Sequence, residues 1–244
     1  MHVTPDGWLV HDLNSDPRVR HATSTRQTTL IVPRPVGIVW HTTGDRSHDL
    51  RGTPETLTGS ILGYNRARDP HLSWHLFVGR DGSLCQTLPF TAGAWHCMRP
   101  RKFPDRYIDN LDRATIAIML ENSGRLLASP DGDLFAWPHF RRGPAGEVDR
   151  TLGFDPDRRI EGGIRKGAVV RGGGEAGGVR VEQAIWHDFP AAQVRAAGLA
   201  LGALRREFGL LMEACALAHS DQHRGVSDDP GDLWMQRVLP ALLG

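Results

Sequence analysis

The segment from Val36 to Gly44 constrains the fold more than any other part of the chain. Apolar and β-branched residues lead to His41, and a Thr-Thr-Gly sequence then ends the run. This pattern is typical of a short buried strand. We therefore predict a strand that brings the imidazole of His41 to one edge of a sheet. An isolated histidine at a strand end is more often structural than functional, so its role depends on partners from other segments.

Length and charge limit the class of protein. The 244 residues suit one large domain, or a domain with a sizeable insertion, and can bury a core without disulfides or a structural metal. The 29 Lys and Arg residues nearly balance 28 Asp and Glu residues, which leaves a net charge of +1. So small a net charge gives no basic field for nucleic acid. We expect a monomer without a nucleic-acid partner.

The cysteines and the hydropathy pattern bear on the compartment. Cys85, Cys97 and Cys215 form an odd set without a CxxC pair, which is typical of reduced thiols that serve as small buried hydrophobes. The sequence contains no apolar run long enough to span a bilayer, and its first residues lack a basic segment followed by an apolar one. We expect a soluble protein made in the cytoplasm, without membrane contact. Action outside the cell would require another route of release.

Periodicity predicts the elements of the first half of the chain. Residues 1–35 are interpreted as an extended arm with one short strand near Leu9. After the arm we predict the strand that ends at His41 and then an amphipathic helix over 53–68. A hairpin is predicted next, with strands over 73–78 and 84–88 joined by a turn at 80–83. An apolar, central strand over 115–120 follows.

The second half begins with a change of composition. Glycine, proline and arginine crowd residues 125–183 without a sustained period, so we predict a partly mobile insertion with a hairpin or two. A helix is then expected from Pro190 to a C-cap at Gly209, a strand ending at His219, and a last helix over 232–238. The whole chain, 1–244, is predicted to be a single α/β domain: a mixed central β-sheet flanked by helices, with a Gly/Arg/Pro-rich insertion.

Three polar residues can combine at one site. His41 and His219 both end predicted strands, and Asp229 follows His219 by ten residues. Two imidazoles and one carboxylate leave the fourth position of tetrahedral Zn²⁺ open, as in catalytic rather than structural zinc sites. Because the chain has 12 histidines, this spacing alone is a weak indication.

Several ordered motifs carry a family resemblance. They are Ile38 to Thr43, Ser73 to Gln86, Ala94-Trp95-His96, Asn110 to Asn122, and His219 with Asp229-Pro230-Gly231. With these motifs the chain resembles zinc-dependent N-acetylmuramoyl-L-alanine amidases of type 2, which share a fold with T7 lysozyme-type amidases and peptidoglycan recognition proteins. The resemblance covers roughly residues 36–124 and 185–240.

The resemblance implies a set of site residues. It implies that His41, His219 and Asp229 hold Zn²⁺, the expected cofactor. Trp95 and His96 match a substrate-groove motif, and we add Trp74 and Asn122 as candidate contacts to the muramyl peptide. The implied partners are peptidoglycan fragments.

The chain departs from the family at the proton-transfer position. One subgroup has a catalytic glutamate where this chain has Met119, and other members use a tyrosine where this chain has Trp74. Neither side chain present here can accept the proton. Glu121 lies two residues after Met119, on the same face of a strand and about 6–7 Å further along. We predict Glu121 as the general base; its alternative role is a strand-end carboxylate that binds a loop.

A second departure concerns the oxyanion. The family usually has a lysine two residues before the aspartate, and this chain has Ser227 there. Ser227, His223 or Arg224 is expected to supply the hydrogen bond instead. An HxxxH zinc site built from His219 and His223 is disfavoured because the acidic residue between them, Asp221, is neither a glutamate nor at the expected offset.

These observations predict hydrolysis of the amide between N-acetylmuramic acid and L-alanine. Two alternatives stay open: a non-catalytic peptidoglycan-binding module with the same fold, and a zinc amidase that acts on a different N-acyl substrate. A recycling enzyme, a phage endolysin active in cell wall degradation and a delivered toxin are all compatible with the sequence.

Overall fold

The structure is a computed structural model of the chain. It describes residues 1–11, 19–24, 27–43, 73–97, 100–103, 106–136, 141–144, 147–160, 163–171, 179–218, 230 and 233–244. The helix predicted over 53–68 lies outside the described residues.

The strands of the first half are short, apart from two six-residue strands. In chain order they are β1 His2–Val3, β2 Leu9–Val10, β3 Val19–His21, β4 Gln27–Thr28, β5 Gly37–Thr42, β6 Leu76–Val78, β7 Leu84–Gln86, β8 Gly93–Ala94, β9 Arg101–Lys102, β10 Tyr107–Ile108 and β11 Thr115–Leu120. A 3-10 helix, Leu111–Arg113, leads into β11.

The second half contains longer strands and the described α-helices. Its strands are β12 Arg125–Ala128, β13 Leu134–Phe135, β14 Arg159–Ile160, β15 Ile164–Arg171, β16 Val179–Trp186 and β17 Leu217–Ala218. Its helices are α1 Ala191–Phe208 and α2 Leu239–Leu243, with 3-10 turns at Arg150–Leu152, Pro156–Arg158 and Glu213–Cys215 and a π-helical segment at Trp234–Val238.

The central sheet has the mixed topology that the sequence predicts. Its strand order is β17-β5-β11-β6-β7-β3. The first four strands are parallel, β6 and β7 form an antiparallel hairpin, and β3 joins β7 in parallel. The apolar strand β11 lies between β5 and β6, as expected for a strand buried on both faces.

Alternation along the central strands separates two apolar faces. Ile38 and Trp40 in β5 belong to a core that includes the alanine- and leucine-rich face of α1. Val39 belongs to a different cluster. His41 follows Val39 by two residues, so its side chain lies on the face opposite α1. The helix ends as predicted, with Gly209 in the left-handed conformation at φ 64°.

The chain termini differ in part from the prediction. The short strand near Leu9 is confirmed, and the arm also contributes β3 to the edge of the central sheet and β4 as a partner of β8. Near the end of the chain, helical structure continues beyond Val238 to Leu243, and Pro240 is the second residue of α2. No helix among the described residues is long and apolar enough to cross a membrane.

The region predicted as an insertion with a hairpin or two forms a second sheet among its described residues. Its strand order is β14-β13-β12-β16-β15, and all pairs are antiparallel. The long hairpin β15–β16 pairs eight residues on each side. The region also extends to Trp186 rather than ending at 183, because β16 returns to pair with β12.

His75 is a buried structural histidine beneath the hairpin. Its Nε2 donates to the carbonyl of Ala92 (3.0 Å), and its Nδ1 accepts from the amide of Ala117 (3.0 Å). The ring stacks on Phe90. Burial disfavours the charged imidazolium and lowers the pKa of His75 to about 4.

The lowered pKa of His75 predicts a loss of stability in acid. Between pH 6.5 and pH 4, His75 binds a proton in the unfolded chain but not in the folded chain. The stability contributed by neutral His75 is therefore complete above pH 6.5 and is lost as the pH falls toward 4. The expected loss is about 3 kcal/mol in the free energy of unfolding. Urea titrations at both pH values measure this loss. His75→Gln, which does not titrate, should flatten this dependence; an unchanged pH dependence in the variant would contradict the assignment.

Candidate functional site

His41 lies at the carboxyl edge of the parallel strands. It is the last residue but one of β5, pairs in register with Met119 of β11, and is 2% exposed. On the other side of β5, Trp40 pairs with Ala218, the last residue of β17. The carboxyl ends of β5, β11 and β17 therefore meet at one edge of the sheet, where polar side chains in α/β folds converge.

His96 contacts His41 directly. The Nδ1 atom of His96 lies 3.1 Å from Nε2 of His41, and the two rings meet edge to face with 5.2 Å between their centroids. The side chain of His96 is fully buried. Its Nε2 atom lies 3.3 Å from Oγ1 of Thr115 and 3.9 Å from Oδ1 of Asp112.

The carboxylate of Asp112 is buried behind His96. Its Oδ1 atom accepts hydrogen bonds from the backbone amides of His96 (2.9 Å) and Cys97 (2.6 Å). Asn110 caps the 3-10 helix that carries Asp112, since its side chain accepts from the Asp112 amide. The helix, the cap and the following strand β11 thus hold Asp112 and Thr115 on one side of the His96 ring.

The surroundings of His41 on the sheet are apolar. Trp74 meets its ring edge to face at 6.4 Å and packs with Phe77, Cys85 and Met119. Trp74 is 4% exposed. Trp74 and Met119, which the family resemblance places at the proton-transfer positions, therefore belong to one hydrophobic cluster beside His41.

Glu121 lies immediately after β11 and is 6% exposed. Its carboxylate accepts a hydrogen bond from the backbone amide of Arg80 at 3.0 Å. Its own carbonyl accepts from the side chain of Gln193 in α1. This contact with the loop after β6 fits the alternative role of a strand-end carboxylate, and its role as general base stays a prediction.

Asn122 links the segment that leaves the central sheet after β11 to the segment that follows β16 of the second sheet. Its side-chain amide donates to the carbonyls of His187 (3.3 Å) and Asp188 (2.9 Å), and its carbonyl accepts from the amide of Gly124 (2.7 Å). Arg80 strengthens the same crossing through an ion pair with Asp188 at 3.0 Å. The side chain of Asn122 is fully buried, and its contact with substrate stays a prediction.

Replacing Asn122 with alanine is expected to destabilise the fold. The change removes the side-chain hydrogen bonds to the amide of Gly124 and to the carbonyls of His187 and Asp188, and it should lower the free energy of unfolding by about 2–3 kcal/mol. Urea denaturation measures the effect, with the exposed turn substitution Asp131→Ala as a control near zero. A change below about 0.5 kcal/mol for Asn122→Ala, the range of ordinary surface substitutions, would contradict the structural role.

The remaining predicted substrate residue in the described chain is Trp95. It is partly exposed, and its backbone exchanges hydrogen bonds with Ser73, which precedes β6. This placement leaves part of the indole accessible beside the buried His96. Its contact with substrate stays a prediction.

The other predicted site residues lie outside the described part of the chain. They are His219, His223, Ser227 and Asp229, together with the alternative Arg224. Among the described residues, no group of three or more His, Cys, Asp or Glu side chains could hold a metal ion. Since two of the three predicted ligands are not among them, the zinc site stays a prediction.

The sequence patterns did not predict Asp112 and Thr115 as partners of His96. One feature pointed to Thr115, which is a hydroxyl residue in an otherwise apolar strand. Their proximity depends on tertiary register, which the sequence alone does not give.

A separate cleft of about 640 Å³ lies at the opposite end of β5. Its lining includes Arg34, Val36, Lys102, Phe208 and Leu217. Val36 precedes β5, whereas His41 lies near its carboxyl end. The cleft is therefore distinct from the edge that carries His41 and His96.

Comparisons with known proteins agree with this architecture. The family model described as "N-acetylmuramoyl-L-alanine amidase" matches residues 32–232, well over half of the chain. No curated protein sequence matches the chain.

Among the similar solved structures, the one with a TM-score above 0.5 supports the same fold. A selenomethionine derivative of AmpD is similar over 100% of both chains, with 16% sequence identity and a TM-score of 0.52. AmiD from E. coli, in complex with anhydro-N-acetylmuramic acid-L-Ala-D-gamma-Glu-L-Lys, matches 89% of this chain and 61% of its own, with 20% identity and a TM-score of 0.49. The endolysin of the Thermus scotoductus MAT2119 bacteriophage Ph2119 matches 93% of this chain and 99% of its own, with 17% identity and a TM-score of 0.46.

The likeness to AmpD concerns the arrangement of strands and helices. The family model adds the sequence relationship, and it spans every strand of the central sheet except β3, together with the region around His41, His96 and Glu121. The chain therefore belongs to the type 2 N-acetylmuramoyl-L-alanine amidase family.

Proposed function

We propose that the protein is a zinc-dependent amidase that hydrolyses the bond between the lactyl group of N-acetylmuramic acid and L-alanine. Its substrates would be peptidoglycan or muramyl peptides. Family membership supports the reaction class. The observation that carries the proposal is the placement of His41, buried at the carboxyl edge of the sheet with one ring nitrogen bound to His96.

The chemistry of the donors fits zinc. A metal-binding histidine commonly has its other ring nitrogen held by a polar partner, and His41 has such a partner in His96. Ala218 pairs with Trp40, one residue before His41, and His219 is the next residue after Ala218 along the chain. Consecutive Cα atoms are about 3.8 Å apart, so this pairing supports a common site for the two histidines. Asp229 would complete the set of protein ligands.

The proposed zinc ion, when bound, would lower the pKa of its water to about 7 and polarise the scissile carbonyl. His41, His219 and Asp229 would hold it and leave one position open. The hydrophobic cluster of Trp74, Phe77 and Met119 would exclude bulk water from that side of the site. Exclusion of water strengthens electrostatic interactions within the site.

Proton transfer in this proposal falls to Glu121. Its carboxylate would take a proton from the attacking water and return it to the departing amine of L-alanine, so that the products are a lactyl carboxylic acid and a free amino terminus. A donor among His223, Arg224 and Ser227 would stabilise the oxyanion. The partly exposed Trp95 would offer aromatic surface to the muramyl peptide.

A non-catalytic binding module is the second candidate. The replacement of two usual proton-transfer residues by Met119 and Trp74 favours it, and both side chains lie in the hydrophobic cluster beside His41. A hydrolase for another acylated amine is the third candidate, because the second sheet begins directly after Glu121–Gly124 and could shape a different groove.

Digestion of purified muropeptides tests the proposal. The protein should generate new L-alanine amino termini, detected by mass spectrometry, and His219→Ala should generate none. Zinc is quantified in the same samples. Bound zinc without cleavage of any muropeptide would favour the binding module, whereas cleavage of only another N-acyl amine would favour the third candidate.

A further inference from the structure

A buried chain of hydrogen bonds runs from the 3-10 helix to His41. It links the carbonyl of Leu111, the hydroxyl of Thr115, the ring of His96 and the ring of His41, and the carboxylate of Asp112 lies beside it. We propose that His96 is a positioning residue, held by Thr115 and Asp112, that fixes His41 in the tautomer with its lone pair on Nδ1. The functional consequence, a prearranged zinc ligand, rests on the proposed function.

Thr115 determines which atoms donate and which accept along this series of hydrogen bonds. Its hydroxyl has one proton, which it donates to the carbonyl of Leu111 at 2.7 Å. Toward His96, at 3.3 Å, the same oxygen can therefore only accept. The Nε2 atom of His96 must carry the hydrogen.

Asp112 favours the same assignment by charge. Its Oδ1 atom lies 3.9 Å from Nε2 of His96, and both side chains are fully buried. In a buried environment the attraction between a carboxylate and an N–H group is stronger than in water. Asp112 therefore stabilises the hydrogen on Nε2 rather than on Nδ1. Two backbone amides hold the carboxylate in place.

The tautomer of His41 follows from that of His96. A neutral imidazole has one donor nitrogen and one acceptor nitrogen. With both rings neutral and the hydrogen of His96 on Nε2, His96 accepts at Nδ1, so the Nε2 atom of His41, 3.1 Å away, donates. Neutral His41 then has its lone pair on Nδ1, the nitrogen able to bind a metal. The edge-to-face packing of the two rings also fixes the orientation of His41.

Loss of this series of hydrogen bonds should weaken metal binding without removing a metal ligand. Without the acceptor on His96, His41 could exchange tautomers and rotate, and only part of the population would present Nδ1 correctly. Outer partners of metal-binding histidines typically contribute 10–100-fold to metal affinity, and we expect an effect of about this size here.

Two substitutions at Thr115 give a matched test. Thr115→Val has nearly the same shape but cannot accept from His96, whereas Thr115→Ser keeps the hydroxyl. Nitrogen-15 NMR of the histidine rings, recorded on zinc-free protein, should report the Nε2–H tautomer of His41 in the wild type and in Thr115→Ser, and a mixture in Thr115→Val. Zinc affinity, measured by competition with a chelator, should fall about 10-fold in Thr115→Val and less than 2-fold in Thr115→Ser. Thermal unfolding of the zinc-free proteins checks the fold.

A second pair addresses His96 itself. His96→Asn places a carbonyl oxygen near the position of Nδ1 and should partly restore zinc affinity, relative to His96→Phe, which has no acceptor. His96→Phe should lose up to about 100-fold in zinc affinity. A Thr115→Val variant with the wild-type His41 tautomer and unchanged zinc affinity would overturn the inference, as would equal zinc affinities for His96→Asn and His96→Phe when both variants are folded. A wild-type chain that binds no zinc would instead overturn the proposed function, and the NMR result in the zinc-free protein would still decide the tautomer.

Discussion

Replacing His41 with alanine should abolish zinc binding and lower amidase activity to below about a thousandth of the wild-type rate, because the bound water would lose its lowered pKa. The alanine also removes the hydrogen-bond partner of His96, so a modest loss of stability is expected. Zinc is measured by elemental analysis after dialysis, and activity is measured as the release of L-alanine amino termini from muropeptides.

His21→Ala is the matched control for His41→Ala. His21 lies in β3 at the far edge of the sheet, is exposed, and contacts the carbonyl of Leu9. The control should keep one zinc per chain and the full rate. A His41→Ala variant that is folded and retains both zinc and activity would exclude His41 as a ligand.

Replacing Glu121 with glutamine should lower the rate of cleavage by about 10²–10⁴-fold, the usual contribution of a general base. Glutamine keeps a carbonyl oxygen that can accept from the amide of Arg80, but it cannot take a proton at neutral pH. Zinc content and the free energy of unfolding should therefore stay close to those of the wild type. Kinetics on muropeptides and urea denaturation measure the two effects separately.

Glu121→Ala separates the catalytic role from the loop contact. It removes both the base and the acceptor for Arg80, so it should lose the same activity and, in addition, about 1–3 kcal/mol of stability. Full activity in Glu121→Gln with a loss of stability in Glu121→Ala would assign Glu121 the loop contact alone. That outcome would leave the proposed metal site unaffected.

Much of the central sheet could be predicted because its signals are local. The apolar run of β11, the turn between β6 and β7, and the C-cap at Gly209 each depend on residues close in sequence. The position of His41 at the end of β5 follows from the same kind of signal. The alternation of β5 also places its imidazole on the face opposite α1.

The second sheet could not be predicted in the same way. Its strands β13 and β14 have two residues each, too few to show a period, and β12 pairs with β16, more than 50 residues further along the chain. Pairings over such separations depend on tertiary packing rather than on local propensity. The composition of the segment, rich in glycine and arginine, predicted an insertion with a hairpin or two but not a five-stranded sheet.

The contacts of His96 could not be predicted from the sequence for a related reason. Asp112, on a 3-10 helix, and Thr115, the first residue of β11, approach His96 only because the loop after β8 folds back onto them. The sequence motif Trp95-His96 predicted a substrate groove, which stays a prediction, and the structure buries the His96 side chain against His41. A motif thus identified the histidine without identifying the atoms that it contacts.

Zinc reconstitution tests the central claim most directly. Chelator-treated protein is titrated with Zn²⁺, and the release of L-alanine amino termini from muropeptides is followed at each step. We expect no cleavage without metal and a rate that rises to a plateau at one zinc per chain. Full activity in the metal-free protein, or one bound zinc without cleavage, would show that the protein is not a zinc-dependent amidase.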